Sequence, residues 1–466
     1  MTTYLIQTLG SRDVKIDNQA LKEKLTPPRE IFDKNNHLYA REGGQFLLDH
    51  FDQVKKLCDA PMVRPALEYI LQKEPEITGA YLILTDQDPN IAGGFYSRDS
   101  VNYGMFIEKW IKTFYEKKVK EITLIKVDKD VTYLDQMYQF WSKKLRSKPF
   151  NKISDASRVY LCNQGGIDAI NTAVMLNGIN RFGANMVLLN VNEKTGVAAS
   201  LDFPDQFRQE QIRQEVKALL EHYHYASLGD FEIPEAAKMW ACFAHSRLSF
   251  DFEKAQEILA DMPKEEYSLR DSFLETINNL TSKNAAFLME ELIKNAELKL
   301  FQGEYVDFLS RMFRLREELA KNEGLNALKK EGFEIEDLKK WDKNFKAFLH
   351  EPGQTKLKDF LDHYKTPEGS ALNYLKTPPN IPIFEAILEY FYSKDEELLW
   401  LLKQFGDLAG LRNKSIAAHG FEGVSRRDME NVLEISVEEL VKHLKKYLNV
   451  KENPFNEINK IIKNRI

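Results

Sequence analysis

The sequence is short of the features that mark several large classes of protein. Its three cysteines stand far apart in 466 residues with no CxxC spacing, which argues against a disulfide framework and a thiolate zinc site. No run of 18 apolar residues occurs, so we expect no membrane span. The start, MTTYLIQTLGSRD, lacks the basic segment and apolar stretch of a signal peptide. We therefore expect a cytoplasmic protein.

An excess of positive charge is also missing. The formal net charge is −6, so no overall field draws the chain onto nucleic acid or membrane, and we expect no stable binding to DNA. Any contact with a polyanion must be local. The composition, 43% hydrophobic and 29% charged, is typical of a globular protein, and the length suggests two or three domains.

The chain changes character near residue 205. Before it, short and nearly continuous apolar runs alternate with helical patterns, which predicts an α/β, Rossmann-like domain over residues 1–205 with a buried parallel sheet. After it, helical patterns follow one another, which predicts an all-α region. The predicted strands are Tyr4–Leu9, Ala80–Thr85, Glu121–Val127, Arg158–Asn163 and Asn185–Asn190.

Two glycine-bearing loops follow predicted strands in the first half. In a parallel sheet, ligands gather at the carboxyl ends of the strands, where glycines let backbone N–H groups approach an anion. Ordinary turn chemistry is the alternative interpretation of both loops, with Asp168 as a helix N-cap. The candidate residues are Thr8, Gly10, Ser11, Arg12 and Asp13 after the first strand, and Asn163, Gln164, Gly165, Gly166 and Asp168 after the fourth.

A third group of polar residues stands in the second half, in the segment Arg412-Asn413 followed by His419. If one helix runs from Asp395 to His419, the arginine and the histidine lie about 20° apart on one face, two turns along. Histidine can move a proton near neutral pH while arginine stabilises a phosphate that gains charge, as RNA cleavage requires. Such a reaction needs no metal.

The residues after this predicted helix match the patterns of a helix end and of a new helix start. Gly420 suits a helix stop, and Ser425 with Asp428 matches the capping of a following helix.

The three motifs, in this order, resemble those of the CARF–HEPN ribonucleases of type III CRISPR systems. The resemblance covers essentially the whole chain. It implies a CARF sensor domain over residues 1–205, a helical linker domain over 206–300 and a HEPN ribonuclease domain over 301–466. It also implies a homodimer that binds a cyclic oligoadenylate and cleaves single-stranded RNA without a metal or other cofactor. The RNA-cleaving residues would be Arg412, Asn413 and His419.

The resemblance also assigns the two glycine loops to the cyclic oligoadenylate. The family often has threonine or serine after the second glycine, whereas this chain has Ile167 and Asp168. A carboxylate repels phosphate, so Asp168 is expected to meet a ribose hydroxyl or to cap the helix. Some sensor domains of this family also degrade their activator, and the sequence leaves that open.

Two other functions are compatible with parts of the sequence. One is a non-catalytic nucleotide sensor whose helical half binds a protein partner. The other is an α/β metabolic enzyme, which the absence of GxGxxG and GxxxxGK[ST] patterns disfavours.

Overall fold

The structure, a computed structural model, describes residues 2–366, 369–392 and 396–466. It divides into two compact units, Met1–Gln211 and Ile212–Ile466. Within the described residues no helix is long and apolar enough to cross a membrane.

The first unit is built on a six-stranded sheet in the order β5-β4-β1-β6-β7-β8. All pairings are parallel except that of β7 with β8. A separate antiparallel pair joins β2 and β3. The strands are β1 Thr3–Thr8, β2 Lys15–Ile16, β3 Cys58–Asp59, β4 Ile77–Thr85, β5 Val119–Val127, β6 Arg158–Cys162, β7 Met186–Asn192 and β8 Val197–Leu201.

Helices cover both faces of this sheet. Its central strands are buried on both sides, with alternate residues feeding two hydrophobic cores: Leu5 and Leu82 belong to one, Ile6 and Ile83 to the other. The helices are α1 Asn18–Lys24, α2 Glu42–Asp49, α3 Phe51–Val54, α4 Val63–Lys73, α5 Pro89–Ala92, α6 Val101–Phe114, α7 Leu134–Lys144, α8 Asp168–Phe182 and α9 Phe203–Glu221.

The predicted α/β class is confirmed, and each of the five predicted strands matches an observed one to within about three residues. The sequence pattern did not predict the edge strand β8 or the short β2 and β3. β8 is a five-residue edge strand, VAASL, whose residues are mostly exposed, so it lacks the longer buried apolar run that marks the central strands.

The second unit is helical throughout its described residues. One core is formed by α13 to α20, and a second joins residues 216–298 with the last helix, α21. The helices are α10 Glu235–Leu248, α11 Phe252–Ala260, α12 Tyr267–Thr281, α13 Ala285–Phe301, α14 Tyr305–Lys330, α15 Trp341–Phe348, α16 Thr355–His363, α17 Ile381–Phe391, α18 Glu396–Lys414, α19 Arg426–Val432, α20 Val437–Tyr447 and α21 Pro454–Lys463.

The all-α prediction for this half is confirmed. The boundary near residue 205 corresponds to α9, which contains the division between the two units. The further division at residue 300, into linker and nuclease, stays a prediction.

Candidate ligand-binding and catalytic sites

The first and fourth predicted strands, β1 and β6, are neighbours at the centre of the sheet. From β1 the chain builds β4 and β5 on one side, then returns to build β6 and β7 on the other. The carboxyl ends of β1 and β6 therefore meet where the strand order reverses, the place at which open α/β sheets bind ligands. The two glycine loops leave the sheet at this point.

The two loops cross with their backbones in contact. A Cβ on Gly10 would collide with the backbone nitrogen of Gly166 and lie 2.8 Å from its Cα. A Cβ on Gly165 would strike the Thr8 carbonyl and lie 2.5 Å from the Asp13 carboxylate. Gly166 also has a φ of +86°, which disfavours a side chain. Glycine is therefore required here by close approach as well as by turn geometry.

Two of the predicted ligand-binding side chains lie beneath the crossing. Thr8 is buried, and its hydroxyl has no hydrogen-bond partner among the described residues. Asp13 is also buried and accepts a hydrogen bond from the Gly10 N–H. Burial raises the pKa of Asp13 to about 7, although the bond from Gly10 acts in the opposite direction. Asp13 therefore braces the loop from inside, and a direct contact with a ligand stays a prediction.

Ser11 and Arg12 point the other way, since both are exposed at the tip of the first loop. Arg12 forms no ion pair with any residue that the structure describes. Its guanidinium is consequently the cation of this loop that is free to meet a phosphate.

The side chains of the second loop are partly engaged within the first unit. Gln164 donates to Asn190 Oδ1 at 2.7 Å and to the Val191 carbonyl at 3.1 Å, which ties β6 to the end of β7. Asn163 donates to the Asn171 carbonyl at 3.1 Å, inside α8. These bonds hold the loop in shape.

Asp168 does not cap α8. The helix begins at Asp168 itself, the N-cap position is Ile167, and no side-chain cap forms. The exposed carboxylate stands in the first turn, so the capping alternative is wrong and a contact with a ribose hydroxyl stays a prediction.

A neighbouring polar cluster escaped the sequence analysis. Arg41 binds Asp99 at 2.8 Å and Asp86 at 3.2 Å, and its guanidinium stacks on Tyr96 at 3.9 Å. These residues come from α2's start and from the loops after β4, far apart in sequence. Only the fold brings them together, so no local pattern could have revealed them.

In the second unit, α18 ends at Lys414, and the predicted helix to His419 is wrong. The other predicted end, Asp395, lies outside the described residues. Arg412 and Asn413 are in the last helical turn, whereas His419 belongs to a turn beyond it. The alignment of Arg412 and His419 on one helix face therefore does not occur.

The turn itself is folded back onto the helix end. Ser415 is buried, and its hydroxyl donates to the Arg412 carbonyl at 2.8 Å and accepts from the Ala417 N–H at 3.2 Å. The Glu422 N–H returns to the Lys414 carbonyl at 3.0 Å. A Cβ on Gly420 would lie 2.8 Å from the Lys414 Cα and would collide with its carbonyl. His419, next to Gly420, thus lies in a closed turn that directly follows the end of α18.

Serine competes with the helical backbone through its hydroxyl, which explains why the helix stops here. The predicted capping of the next helix is confirmed, because Ser425 and Asp428 form a reciprocal capping box at α19.

The polar surface at this turn combines a cation, an amide and an imidazole. Asn413 and His419 are exposed, and Arg412 is half-buried. Arg412 Nη1 donates to Asn413 Oδ1 at 3.3 Å, and its Cζ stands 4.3 Å from the centre of the Phe313 ring. Ile416 and Phe421 flank the histidine with 74% and 94% of their surfaces exposed. Phe313, almost 100 residues away in sequence, was not foreseen.

Within the described residues no group of three or more His, Cys, Asp or Glu side chains is arranged to hold a metal ion.

Comparison with known proteins agrees with this architecture. Residues 276–463 match the family model described as the Cas_Csm6 HEPN domain. A search of curated proteins finds no match. Among solved structures, one similar chain is Enterococcus italicus Csm6 bound to cyclic hexa-2′-fluoro-hexa-dAMP, with a TM-score of 0.55, 14% identity and full coverage of both chains.

Proposed function

On the premise that this chain is a CARF–HEPN protein of the Csm6 type, we propose that it is a ribonuclease of CRISPR defence, activated by a cyclic oligoadenylate. The observation that carries the proposal is the position of Arg412, Asn413 and His419. Arg412 and Asn413 end α18 and His419 lies in the turn that follows it, within the segment that matches the HEPN family model.

The residues at this turn supply the groups for cleavage at a ribose 2′-hydroxyl. His419 takes the proton from the 2′-oxygen, which attacks the adjacent phosphorus. The bond from phosphorus to the 5′-oxygen breaks, and the leaving oxygen receives a proton. The products are a 2′,3′-cyclic phosphate and a 5′-hydroxyl.

Arg412 stabilises the negative charge that builds on the phosphate, and Asn413 orients the guanidinium or the phosphate. Protein groups supply the proton transfer and the charge, so the reaction is proposed to be metal-independent. Since the nucleophile is the 2′-hydroxyl, DNA is not a substrate.

A homodimer is part of the proposal. Ile416 and Phe421 are large apolar side chains that expose most of their surface beside His419. Contact with the same turn of a second copy would bury them and would bring two sets of Arg412 and His419 together.

The activator is assigned to the crossing of the loops after β1 and β6. The backbone of Gly165 and Gly166 and the exposed Ser11 and Arg12 are suited to phosphate and ribose groups. The similar Enterococcus structure carries a cyclic hexanucleotide, which supports this class of ligand. We expect the protein to bind both the cyclic oligoadenylate and the RNA in the cytoplasm.

The decisive experiment measures cleavage of a fluorogenic single-stranded RNA with cyclic tetra-adenylate, with cyclic hexa-adenylate and without either, in EDTA and in Mg²⁺. We expect strong activation by one ring, equally in EDTA. His419→Ala and Arg412→Ala should each lower the rate at least about 100-fold. His363→Ala removes another exposed histidine of the second unit and serves as the matched control.

Each result has a distinct meaning. A ring that binds without RNA turnover supports the non-catalytic sensor instead. Full activity of His419→Ala contradicts the catalytic assignment. A single 2′-deoxy substitution at the cleaved position should abolish cleavage, and chromatography of the ring in the same reaction shows whether the sensor also degrades it.

A further inference from the structure

Arg412 differs from most arginines of the second unit in what it contacts. Seven others form ion pairs with carboxylates: Arg247, Arg270, Arg311, Arg314, Arg316, Arg426 and Arg465. Arg412 pairs with no carboxylate in the described part of the chain. Its guanidinium lies over the Phe313 ring instead, 4.3 Å from Cζ to the ring centre.

An aromatic ring and a carboxylate hold a guanidinium with different consequences. A carboxylate cancels the charge and occupies the N–H groups, whereas a ring attracts the cation through its π-face and leaves the N–H edge unoccupied. Arg412 Nε is buried without a hydrogen-bond partner among the described residues, so packing fixes the inner part of the group. Its single hydrogen bond within those residues runs from Nη1 to Asn413.

A second arginine on the same pair of helices shows the contrast. Arg316 lies one turn along α14 from Phe313, and its Nη2 would be 3.6 Å from a Cβ on Gly406 of α18. Glu385 binds Arg316 through Nε at 2.8 Å and Nη2 at 2.6 Å. Where α14 packs on α18, the charge of Arg316 is therefore neutralised by a carboxylate, whereas the charge of Arg412 is retained.

We propose that Phe313 is a positioning residue for RNA cleavage: its ring holds the Arg412 guanidinium with the charge intact and the outer N–H groups directed to the scissile phosphate. This inference rests on the proposed function of the His419 turn. Phe313 touches no reacting atom and acts only through Arg412.

The test compares Phe313→Leu with Phe313→Tyr and with a control, Phe360→Leu. Phe360, on α16, is also half-buried, and its ring packs at a tilt against Tyr364 and Tyr390. For Phe313→Leu we expect kcat to fall about tenfold with little change in KM for RNA, because the guanidinium acts mainly on the transition state. Phe313→Tyr keeps the ring face and should restore kcat to within about twofold.

A second readout does not depend on turnover. The ¹⁵Nε and ¹³Cζ signals of Arg412, identified by their loss in Arg412→Lys, should show a ring-current shift in the wild type. The shift should vanish in Phe313→Leu and persist in Phe313→Tyr and Phe360→Leu.

Several outcomes overturn the inference. They are an unchanged kcat in Phe313→Leu, an equal loss in Phe313→Tyr or Phe360→Leu, and an Arg412 signal that does not respond to removal of the ring. Failure of the proposed function looks different: the wild type then cleaves no RNA with either ring.

Discussion

The polar side chains differ in exposure between two regions, the crossing of the glycine loops and the turn after α18. At the crossing, the polar side chains form hydrogen bonds within the first unit, as Asp13, Asn163 and Gln164 do. The backbones of the two loops are also in contact there. At the turn, Asn413 and His419 are exposed and two apolar side chains stand uncovered beside them. The first region satisfies these polar groups within its own unit, whereas the second leaves polar and apolar side chains exposed.

The buried carboxyl of Asp13 gives the largest expected difference between the two regions. The folded-state pKa of Asp13, about 7, lies above the ordinary value of 3.8, so the fold favours the neutral acid. The neutral Asp13 carboxyl makes its full contribution to the free energy of unfolding below about pH 4. This contribution is lost as the pH rises through 7 and the carboxyl ionises. Asp13→Asn, which keeps an acceptor for Gly10, should remove a pH dependence on the order of 4 kcal/mol.

The measurement is the urea midpoint of the full chain between pH 4 and pH 8. Asp128→Asn, at an exposed position after β5, should keep the wild-type slope. An Asp13→Asn protein with the same slope as the wild type would show that the carboxyl is not held neutral in the fold.

Gly165→Ala tests whether the crossing is as tightly closed as the backbone contacts indicate. The new Cβ meets the Thr8 carbonyl and the Asp13 carboxylate, so the loops must separate, and we expect a loss of about 3 kcal/mol in stability with weaker ring binding. Thermal unfolding and a ring titration measure the two effects. Gly94→Ala, with no atom within 4 Å of its Cβ, is the control, and equal behaviour of the two variants would refute a close crossing.

Gly420→Ala applies the same change to the exposed turn. The Cβ collides with the Lys414 backbone and should displace His419, so we expect RNA cleavage to fall about tenfold, or about 1.4 kcal/mol in the barrier. Ring affinity should not change. Gly423→Ala, which has open space around its Cβ, should cleave at the wild-type rate, and wild-type cleavage by Gly420→Ala would mean that the turn does not position the histidine.

The sequence was a good guide wherever the pattern was local and repetitive. Continuous apolar runs predicted the strands because they are buried on both faces. The motif order led to a CARF–HEPN resemblance, and the match of residues 276–463 to the Cas_Csm6 HEPN family model agrees with its HEPN part. Periodicity misjudged the end of α18, because the Ser415 hydroxyl and the return to Lys414 compete with the next helical turn. Phe313 and the inward orientation of Asp13 depend on contacts between distant segments, which no spacing in the chain records.

The last helix has a consequence for the order in which the protein can be made. Phe455, Ile458 and Ile462 of α21 are fully buried in the same core as Trp240 and Ile277. Tyr225 donates a hydrogen bond to Asn459, 234 residues later, at 2.8 Å. During synthesis this core stays open until α21 has left the ribosome, long after α10 to α13 have emerged. The second unit therefore matures late, after the first unit has had time to fold.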